Sequence, residues 1–269
     1  MLQFRDRPIF VTDTSIPYGA QLPGSAPAAP FYVPPARPGV GGTAYENSVI
    51  DVLNRIERQA VGHLLLSLIP VYYPVLIVKM TDEIANALGT STCNAATIMS
   101  RDTIPLPSGK ALRGYSKMAY TPSDSQECRK GPGTRPDEAL FHELVHAYHR
   151  AMHGGLNPFY SITGTISGND LSDFGNLDEF QSILVANMYI SEYSSALRRD
   201  HKSSATLPPE LSTSRAYCDA YRPSIKLLAQ RQRRLMNLLS FLTEPRFNPL
   251  REYFSDERRE LYPTDFLPQ

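Results

Sequence analysis

The feature that most constrains the fold of this chain is the pentapeptide HELVH at residues 142–146. Residues four apart in a helix lie on one face about 6 Å apart, so His142 and His146 can bind one metal ion if the segment is helical. Glu143 lies beside this pair and can accept a proton from a water molecule that the metal activates. The motif therefore predicts a helical Zn²⁺ site with His142 and His146 as ligands and Glu143 as the catalytic base.

Signals on both sides of the motif predict the helix that it requires. Pro136 suits the first helical position, and the two acidic residues that follow it complement the positive end of the helix dipole. The pair Gly154–Gly155 predicts the end of the helix. The motif therefore lies inside a segment that has both a start signal and a stop signal.

Two further histidines, His149 and His153, fall on the same predicted helix face as His142. Seven residues of helix span about 10 Å, which is too far for all four histidines to bind one ion. We therefore expect His149 and His153 to lie at the surface or at the rim of a pocket. The alternative is a contact with a metal ligand or with the substrate.

A catalytic zinc site needs a third protein ligand and an open position. The longer pattern HExxHxxGxxH fails here, because His149 occupies its glycine position and Met152 occupies its last histidine position. A carboxylate from the following helix is the common alternative, and Glu179, 33 residues after His146, is the best candidate. Asn176 and Glu179 would also fit a helix N-cap with its capping box, which would make Glu179 purely structural. The competing ligand candidates are Asp178 and Asp173, followed by Cys218 and His201.

A hydrolytic zinc site also needs a group that stabilises the oxyanion formed during the reaction. A tyrosine hydroxyl could do this, but the chain has 15 tyrosines and the sequence does not choose among them. For each one, an ordinary place in the core or at the surface is the expectation. The tyrosines eligible by type are Tyr148, Tyr189, Tyr193, Tyr217 and Tyr221.

The remaining pattern predicts an α+β domain that is mainly helical and has a small mixed or antiparallel sheet. Apolar residues at steps of three or four predict helices, and β-branched runs between loop-like segments predict strands. The predicted helices are Tyr45–Ile69, Pro136–His153, about Leu177–Arg199, and one after Pro223 that precedes a charged tail from Phe247. The predicted strands are Val75–Met80, Ala96–Ser100 and Lys117–Tyr120.

Residues 1–43 predict a proline-rich arm or linker, and residues 44–269 predict the metal-binding domain. Prolines between Pro23 and Pro38 alternate with glycine, alanine and serine. Such a stretch favours extended backbone and does not build a core. The arm could attach the domain to a delivery module, or it could wrap around its own domain.

Composition excludes several other classes of protein. The 27 basic and 27 acidic residues balance, so no basic field predicts a nucleic-acid partner. No apolar run approaches the roughly 20 residues of a membrane span, and the N-terminus lacks the pattern of a signal peptide. The three cysteines form no CxxC motif, which argues against a cysteine zinc site. We expect three independent thiols, with a Cys93–Cys128 disulfide in an oxidising compartment as the alternative.

The segment ALFHELVHAYH, residues 139–149, resembles the zinc-metallopeptidase effectors of bacterial pathogens that are typified by the NleD-like type III effectors. Related toxin domains are attached to type VI secretion spike proteins. The resemblance extends to the leading helix and to the segment DEFQSILVANMYISEYSSALRRDH, and it covers roughly residues 45–201. Carried over by position, it implies that His142, His146 and Glu179 are the metal ligands and that Glu143 is the base. It also places Arg198 and Arg199 in the arginine-bearing segment of the family.

The resemblance implies a secreted bacterial effector or toxin that acts as a zinc endopeptidase on proteins of a target cell. The expected fold is zincin-like. The expected location is the host cytoplasm or the periplasm of a rival bacterium, reached through a specialised secretion system. A carrier on the secretion apparatus and an immunity protein are candidate partners beside the protein or peptide substrate. The alternatives are a zinc amidase that acts on cell-wall peptides and a catalytically inactive, zinc-supported binding module.

Overall fold

The computed structural model describes residues 2–13, 42–88, 95–105, 111–122, 131–153, 159, 161–166, 169–201 and 205–261. Within these residues, helices pack on a mixed sheet, which confirms the predicted α+β class. The strands are β1 (Leu2–Gln3), β2 (Ile9–Thr12), β3 (Val75–Lys79), β4 (Ala96–Pro105), β5 (Ala111–Tyr120), β6 (Thr165–Ile166) and β7 (Asn169–Asp170). The helices are α1 (Ala44–Glu57), α2 (Ala60–Leu68), α3 (Asp82–Leu88), α4 (Pro136–Met152), α5 (Leu177–Ser191), α6 (Ser214–Ala220), α7 (Arg222–Arg231), α8 (Arg233–Phe241) and α9 (Pro249–Leu261).

The main sheet has the strand order β1-β2-β3-β5-β4. Strand β3 is parallel to both of its neighbours, whereas the outer pairs β1–β2 and β4–β5 are antiparallel. Residues 75–78 of β3 are all buried, as a continuous apolar run in a central parallel strand should be. The three predicted strands therefore lie in this sheet, and the two weaker ones are parts of the longer strands β4 and β5.

The N-terminal residues depart from the predicted arm. Residues 2–3 and 9–12 form strands β1 and β2, and Ile9 and Val11 are fully buried against the helices. The short apolar run IFVT pairs with the exposed edge that β3 would otherwise present. The prediction of an arm over residues 1–43 is therefore wrong for residues 2–12. The proline-rich positions from Pro23 to Pro38 lie outside the described residues.

The predicted helix Tyr45–Ile69 is two helices, α1 and α2, with a break at residues 58–59. The chain turns so tightly here that a β-carbon on Gly62 would lie 2.0 Å from the Ile56 carbonyl oxygen. Glu192 caps the start of α2. Its carboxylate accepts hydrogen bonds from the backbone N–H groups of Ala60 and Val61, each at 2.8 Å. The apolar period continues through the break, and this is why the sequence predicted one helix.

The C-terminal helices also differ from the prediction. Helix α5 ends at Ser191 rather than at Arg199, and the predicted helix after Pro223 is divided into α7 and α8. The charged tail from Phe247 contains α9, which buries Leu250 and Phe254 although most of its other residues are polar. None of the described helices is long and apolar enough to cross a membrane.

Helix α4 carries the HELVH motif and is held against the sheet by hydrogen bonds from strand side chains. Thr97 Oγ1 donates to the Glu143 carbonyl at 3.1 Å, and Tyr120 Oη donates to the Pro136 carbonyl at 2.9 Å. Helix α5 packs along the other side of α4, and Phe141 stacks on Tyr189 with ring centroids 4.4 Å apart. The motif is therefore positioned between the sheet and α5.

Candidate metal centre

Three predicted ligands meet between α4 and α5. His142 Nε2 and His146 Nε2 are 3.1 Å apart, and Glu179 Oε2 lies 3.2 and 3.3 Å from them, respectively. A tetrahedral zinc ion about 2.0 Å from each ligand requires ligand atoms about 3.3 Å apart. These three atoms, the ligand triangle, therefore have the spacing of a tetrahedral zinc site.

The chemistry of the ligand triangle also fits a cation. Glu179 Oε2 is buried and has no hydrogen-bond partner among the described residues. Burial lowers the pKa of His142 to about 3, so its imidazole is neutral and can bind a metal at neutral pH. Burial also acts to lower the pKa of His146, but Asp178 and Glu179 outweigh it and raise that pKa well above its ordinary value. Two carboxylates thus favour a positive charge at His146, which a metal ion would supply in place of a proton.

The start of α5 places Glu179. Asn176 is the N-cap of this helix, and its side-chain oxygen accepts the backbone N–H of Glu179 at 2.9 Å. The carboxylate of Glu179 points to the two histidines of α4 rather than back to the cap. Burial opposes ionisation of this carboxylate, but the neighbouring histidines hold its pKa below the usual range. The predicted N-cap therefore occurs together with a Glu179 carboxylate that lies next to both histidines.

Asp178, a competing ligand candidate, lies behind the triangle and holds the imidazole rings of His146 and His149. His146 Nδ1 is 2.6 Å from Asp178 Oδ2, and His149 Nδ1 hydrogen-bonds the other carboxylate oxygen. A proton donated from Nδ1 of His146 leaves its Nε2 lone pair directed into the triangle. The expectation of a surface or pocket-rim position for His149 is wrong, because this residue is fully buried. His153 is half-buried at the end of α4, next to Phe159.

Asp178→Asn is expected to weaken zinc binding by about 10–100-fold, as loss of the partner of a metal-bound histidine commonly does. Asparagine has a similar size but only one acceptor oxygen, whereas two imidazole N–H groups donate to Asp178. Zinc affinity would be measured by competition with a chromophoric chelator. Asp173→Asn, at an exposed position, is the control and should bind as wild type does. Equal affinities for the Asp178 and Asp173 variants would contradict this role.

Glu143 is half-buried and lies beside the ligand triangle. Burial raises the pKa of its carboxyl group, an effect that the charge of His146 partly opposes and that of Glu179 reinforces. A carboxyl group with a raised pKa is better matched to proton transfer near neutral pH than an ordinary glutamate. The raised pKa is therefore compatible with the predicted role of Glu143 as the general base.

The structure also brings His201 to this site. His201 Nε2 lies 3.5 Å from Glu179 Oε2, and its ring is nearly parallel to that of His142, with centroids 6.0 Å apart. Arg198 holds the segment in place, since its guanidinium donates to the carbonyl oxygens of Asp200 and His201, both at 2.8 Å. His201 was among the last ligand candidates from the sequence. Its one distinguishing feature there was its position at the end of the segment DEFQSILVANMYISEYSSALRRDH, which resembles the effector family.

The remaining candidates have other partners. Asp173 is exposed and pairs with Arg199 at 3.5 Å, and Cys218 is a free, buried thiol in the core. Tyr189 Oη donates to Asp137 at 2.8 Å, and Tyr193 Oη donates to Glu138 at 3.0 Å. The other eligible tyrosines pack against aromatic rings, and they are Tyr148, Tyr217 and Tyr221. Residues 93 and 128, the two cysteines considered for a disulfide, lie outside the described residues.

Comparisons with known proteins assign no family to this chain. No protein-family model and no curated protein matches the chain. Among solved structures, it is similar to the crystal structure of Clostridium botulinum neurotoxin serotype F light chain, with 13% sequence identity and a TM-score of 0.33. The match covers 84% of this chain and 76% of that chain. A likeness of this size supports no conclusion about function, and membership of the NleD-like effectors stays a prediction.

Proposed function

We propose that this protein is a zinc-dependent endopeptidase with a zincin-like active site. The observation that carries the proposal is the ligand triangle, with Glu143 directly after one of its ligands on the same helix. Catalytic zinc sites have three protein ligands, whereas structural sites have four. Among the described residues, three side chains supply the atoms of this triangle. This ligand number supports an enzyme over the zinc-supported binding module.

Five residues of α4 and α5 would have direct roles in hydrolysis. His142, His146 and Glu179 would hold the zinc ion, and Asp178 would orient the ring of His146. When bound, zinc supplies Lewis-acid chemistry: it polarises the carbonyl group of a peptide bond and makes water more acidic. The carboxylate of Glu143 accepts a proton from the attacking water molecule. It then donates this proton to the amide nitrogen as the C–N bond breaks.

The position of β4 supports a peptide as the substrate. This strand is last in the order of the sheet and pairs with β5 on one side, and no other described strand covers its outer edge. An extended peptide can add to such an edge through backbone hydrogen bonds. Thr97 of β4 is hydrogen-bonded to the backbone of Glu143, so a peptide on this edge would run close to the catalytic base.

A role as a secreted bacterial effector is the second part of the proposal, and it rests on the resemblance of the segments around the motif. In this role the substrate is a protein of the target cell, either in the host cytoplasm or in the periplasm of a rival bacterium. A secretion carrier and an immunity protein stay predictions of the same resemblance.

Peptide cleavage by the zinc-loaded full chain tests the enzymatic part of the proposal. The protein would be incubated with a peptide library, with reduced and unfolded casein, and with peptidoglycan fragments, and products would be identified by mass spectrometry. We expect cleavage of internal peptide bonds that stops with 1,10-phenanthroline and returns with added Zn²⁺. Cleavage of peptidoglycan fragments alone would favour the zinc amidase. Zinc binding without cleavage of any substrate would favour the binding module.

A further inference from the structure

His201 is the most accessible imidazole at the ligand triangle. Its side chain is 45% exposed, compared with 14% for Glu179 and 5% for His142. Its Nε2 atom is 3.5 Å from Glu179 Oε2, so this nitrogen is turned toward the site. The His201 ring is also nearly parallel to that of His142, with centroids 6.0 Å apart, so it lies next to two of the three candidate ligands. A substrate that approaches the triangle from solvent would therefore encounter His201.

Buried residues hold this exposed ring in position. Asn187 is a fully buried residue of α5, and its side chain makes two hydrogen bonds of 2.7 Å with the backbone of Arg198. The guanidinium of Arg198 in turn donates a hydrogen bond to the backbone carbonyl oxygen of His201. The backbone N–H of His201 donates to the Asp173 carbonyl at 3.3 Å. The same helix that supplies Glu179 to the triangle thus also fixes the segment that carries His201.

The loop before α4 packs against this arrangement. Gly133 has a φ of +83°, and a β-carbon there would lie 2.5 Å from Arg198 Cδ. The backbone therefore approaches the Arg198 side chain more closely than a residue with a side chain would allow. Asn187 therefore holds the backbone of Arg198, and Gly133 packs against its side chain. The position of His201 depends on these contacts of the folded domain.

His201 is suited to bind substrate rather than metal. The groups of side chains whose ligand atoms lie close enough for one ion are His142 with His146 and Glu179, and His146 with His149 and Asp178. His201 belongs to neither group within the described residues. Its Nε2 atom faces an acceptor oxygen of Glu179, which favours the tautomer that carries a proton on Nε2. The 3.5 Å separation leaves Glu179 Oε2 without a hydrogen bond among the described residues, so this N–H lies beside the triangle and can donate to another acceptor.

We propose that His201 is a catalytic residue that donates its Nε2–H to the carbonyl oxygen of the scissile peptide bond. The inference rests on the proposed endopeptidase function. It names the residue that would donate a hydrogen bond to the oxyanion of the transition state. When the water oxygen bonds to the carbonyl carbon, the π-electron pair moves to the carbonyl oxygen, and the N–H of His201 stabilises that negative charge. Glu143 carries the water proton to the amide nitrogen. The electron pair re-forms the carbonyl as the C–N bond breaks.

Two of the eligible tyrosines are already engaged elsewhere. The hydroxyl groups of Tyr189 and Tyr193 donate to Asp137 and Glu138 at the start of α4. These acidic groups lie more than a helical turn before His142 in the sequence. Tyr189 or Tyr193 would have to break such a contact to reach the carbonyl oxygen, whereas His201 Nε2 already lies 3.5 Å from Glu179 Oε2.

The test compares His201→Ala and His201→Gln with wild type as zinc-loaded full chains. We expect His201→Ala to lower kcat by about 10²–10³-fold, the effect of losing one oxyanion donor, with KM changed by no more than a few fold. His201→Gln keeps an N–H donor and should recover at least about tenfold of that loss. Zinc content should stay at that of wild type in both variants. His63→Ala, at an exposed histidine of α2, is the matched control and should have wild-type kinetics.

Binding of a phosphinic peptide, which mimics the transition state, gives a second readout by calorimetry. His201→Ala should weaken this binding by about the same factor as it lowers kcat/KM, because the lost interaction is made in the transition state. Loss of zinc from His201→Ala would overturn the inference, since His201 would then be a ligand. Unchanged kcat would overturn it as well. An inactive zinc-loaded wild type would instead refute the proposed function, and this inference with it.

Discussion

Glu143→Gln is expected to lower kcat/KM for peptide hydrolysis by about 10²–10⁴-fold, the usual contribution of a general acid–base group. Glutamine has nearly the same size and polarity, but its amide cannot accept a proton at neutral pH. The ligand triangle does not include Glu143, so the variant should keep one zinc ion per chain. The measurements are steady-state kinetics on a peptide identified from the library and zinc content by elemental analysis.

Glu83→Gln is the matched control for this experiment, because Glu83 is an exposed glutamate of α3, outside the site. It should retain wild-type kinetics and zinc content. Full activity of Glu143→Gln would show that this residue is not the base. Loss of zinc from the same variant would instead place its carboxylate among the ligands.

Glu179→Ala is expected to lose most of its zinc, from one ion per chain to nearly none after dialysis against a weak chelator. The variant removes the one anionic ligand of the triangle and leaves His142 and His146 with two-point binding. A bound metal stabilises the folded state in proportion to the logarithm of its concentration over Kd. At free zinc of 1,000 times Kd, the lost stabilisation is about 4.1 kcal/mol. Elemental analysis and thermal unfolding with and without EDTA would measure both effects.

Asp173→Ala is the control for the third ligand, because Asp173 was a competing candidate and is exposed. EDTA should lower the melting temperature of wild type and of Asp173→Ala, and it should leave that of Glu179→Ala almost unchanged. The reverse pattern, with zinc kept by Glu179→Ala and lost by Asp173→Ala, would move the ligand to Asp173.

Part of the candidate site could be predicted because it depends on local geometry. Helical spacing brings His142 and His146 together, and an N-cap at Asn176 starts the helix that carries Glu179. The role of Asp178 could not be predicted, since it depends on how α4 and α5 pack. The same packing buries His149. The helical period of α4 places His149 near the metal-facing side of the helix, but it does not indicate that α5 covers that residue.

The position of His201 was missed because the predicted helix continued to Arg199. The residues between Ser191 and Arg198 are acceptable in a helix, so local propensity gives no reason for it to end. In the structure, the helix ends at Ser191 and the buried side chain of Asn187 binds the backbone of Arg198, eleven residues later, which a continuous helix would not allow. A contact of this kind depends on tertiary structure, and no period or composition in the sequence indicates it.

The N-terminal strands change how the proline-rich segment should be regarded. Strand β2 pairs with β3, so residues 9–12 are joined to residues 75–78 inside the main sheet. The first residue described after the segment, Gly42, lies against β1, where an added β-carbon would be 2.3 Å from Leu2 Cδ1. Both ends of the segment are therefore anchored in the same domain. In mechanical terms, a force applied along the backbone at residue 2 would act first on the main sheet behind the metal helix.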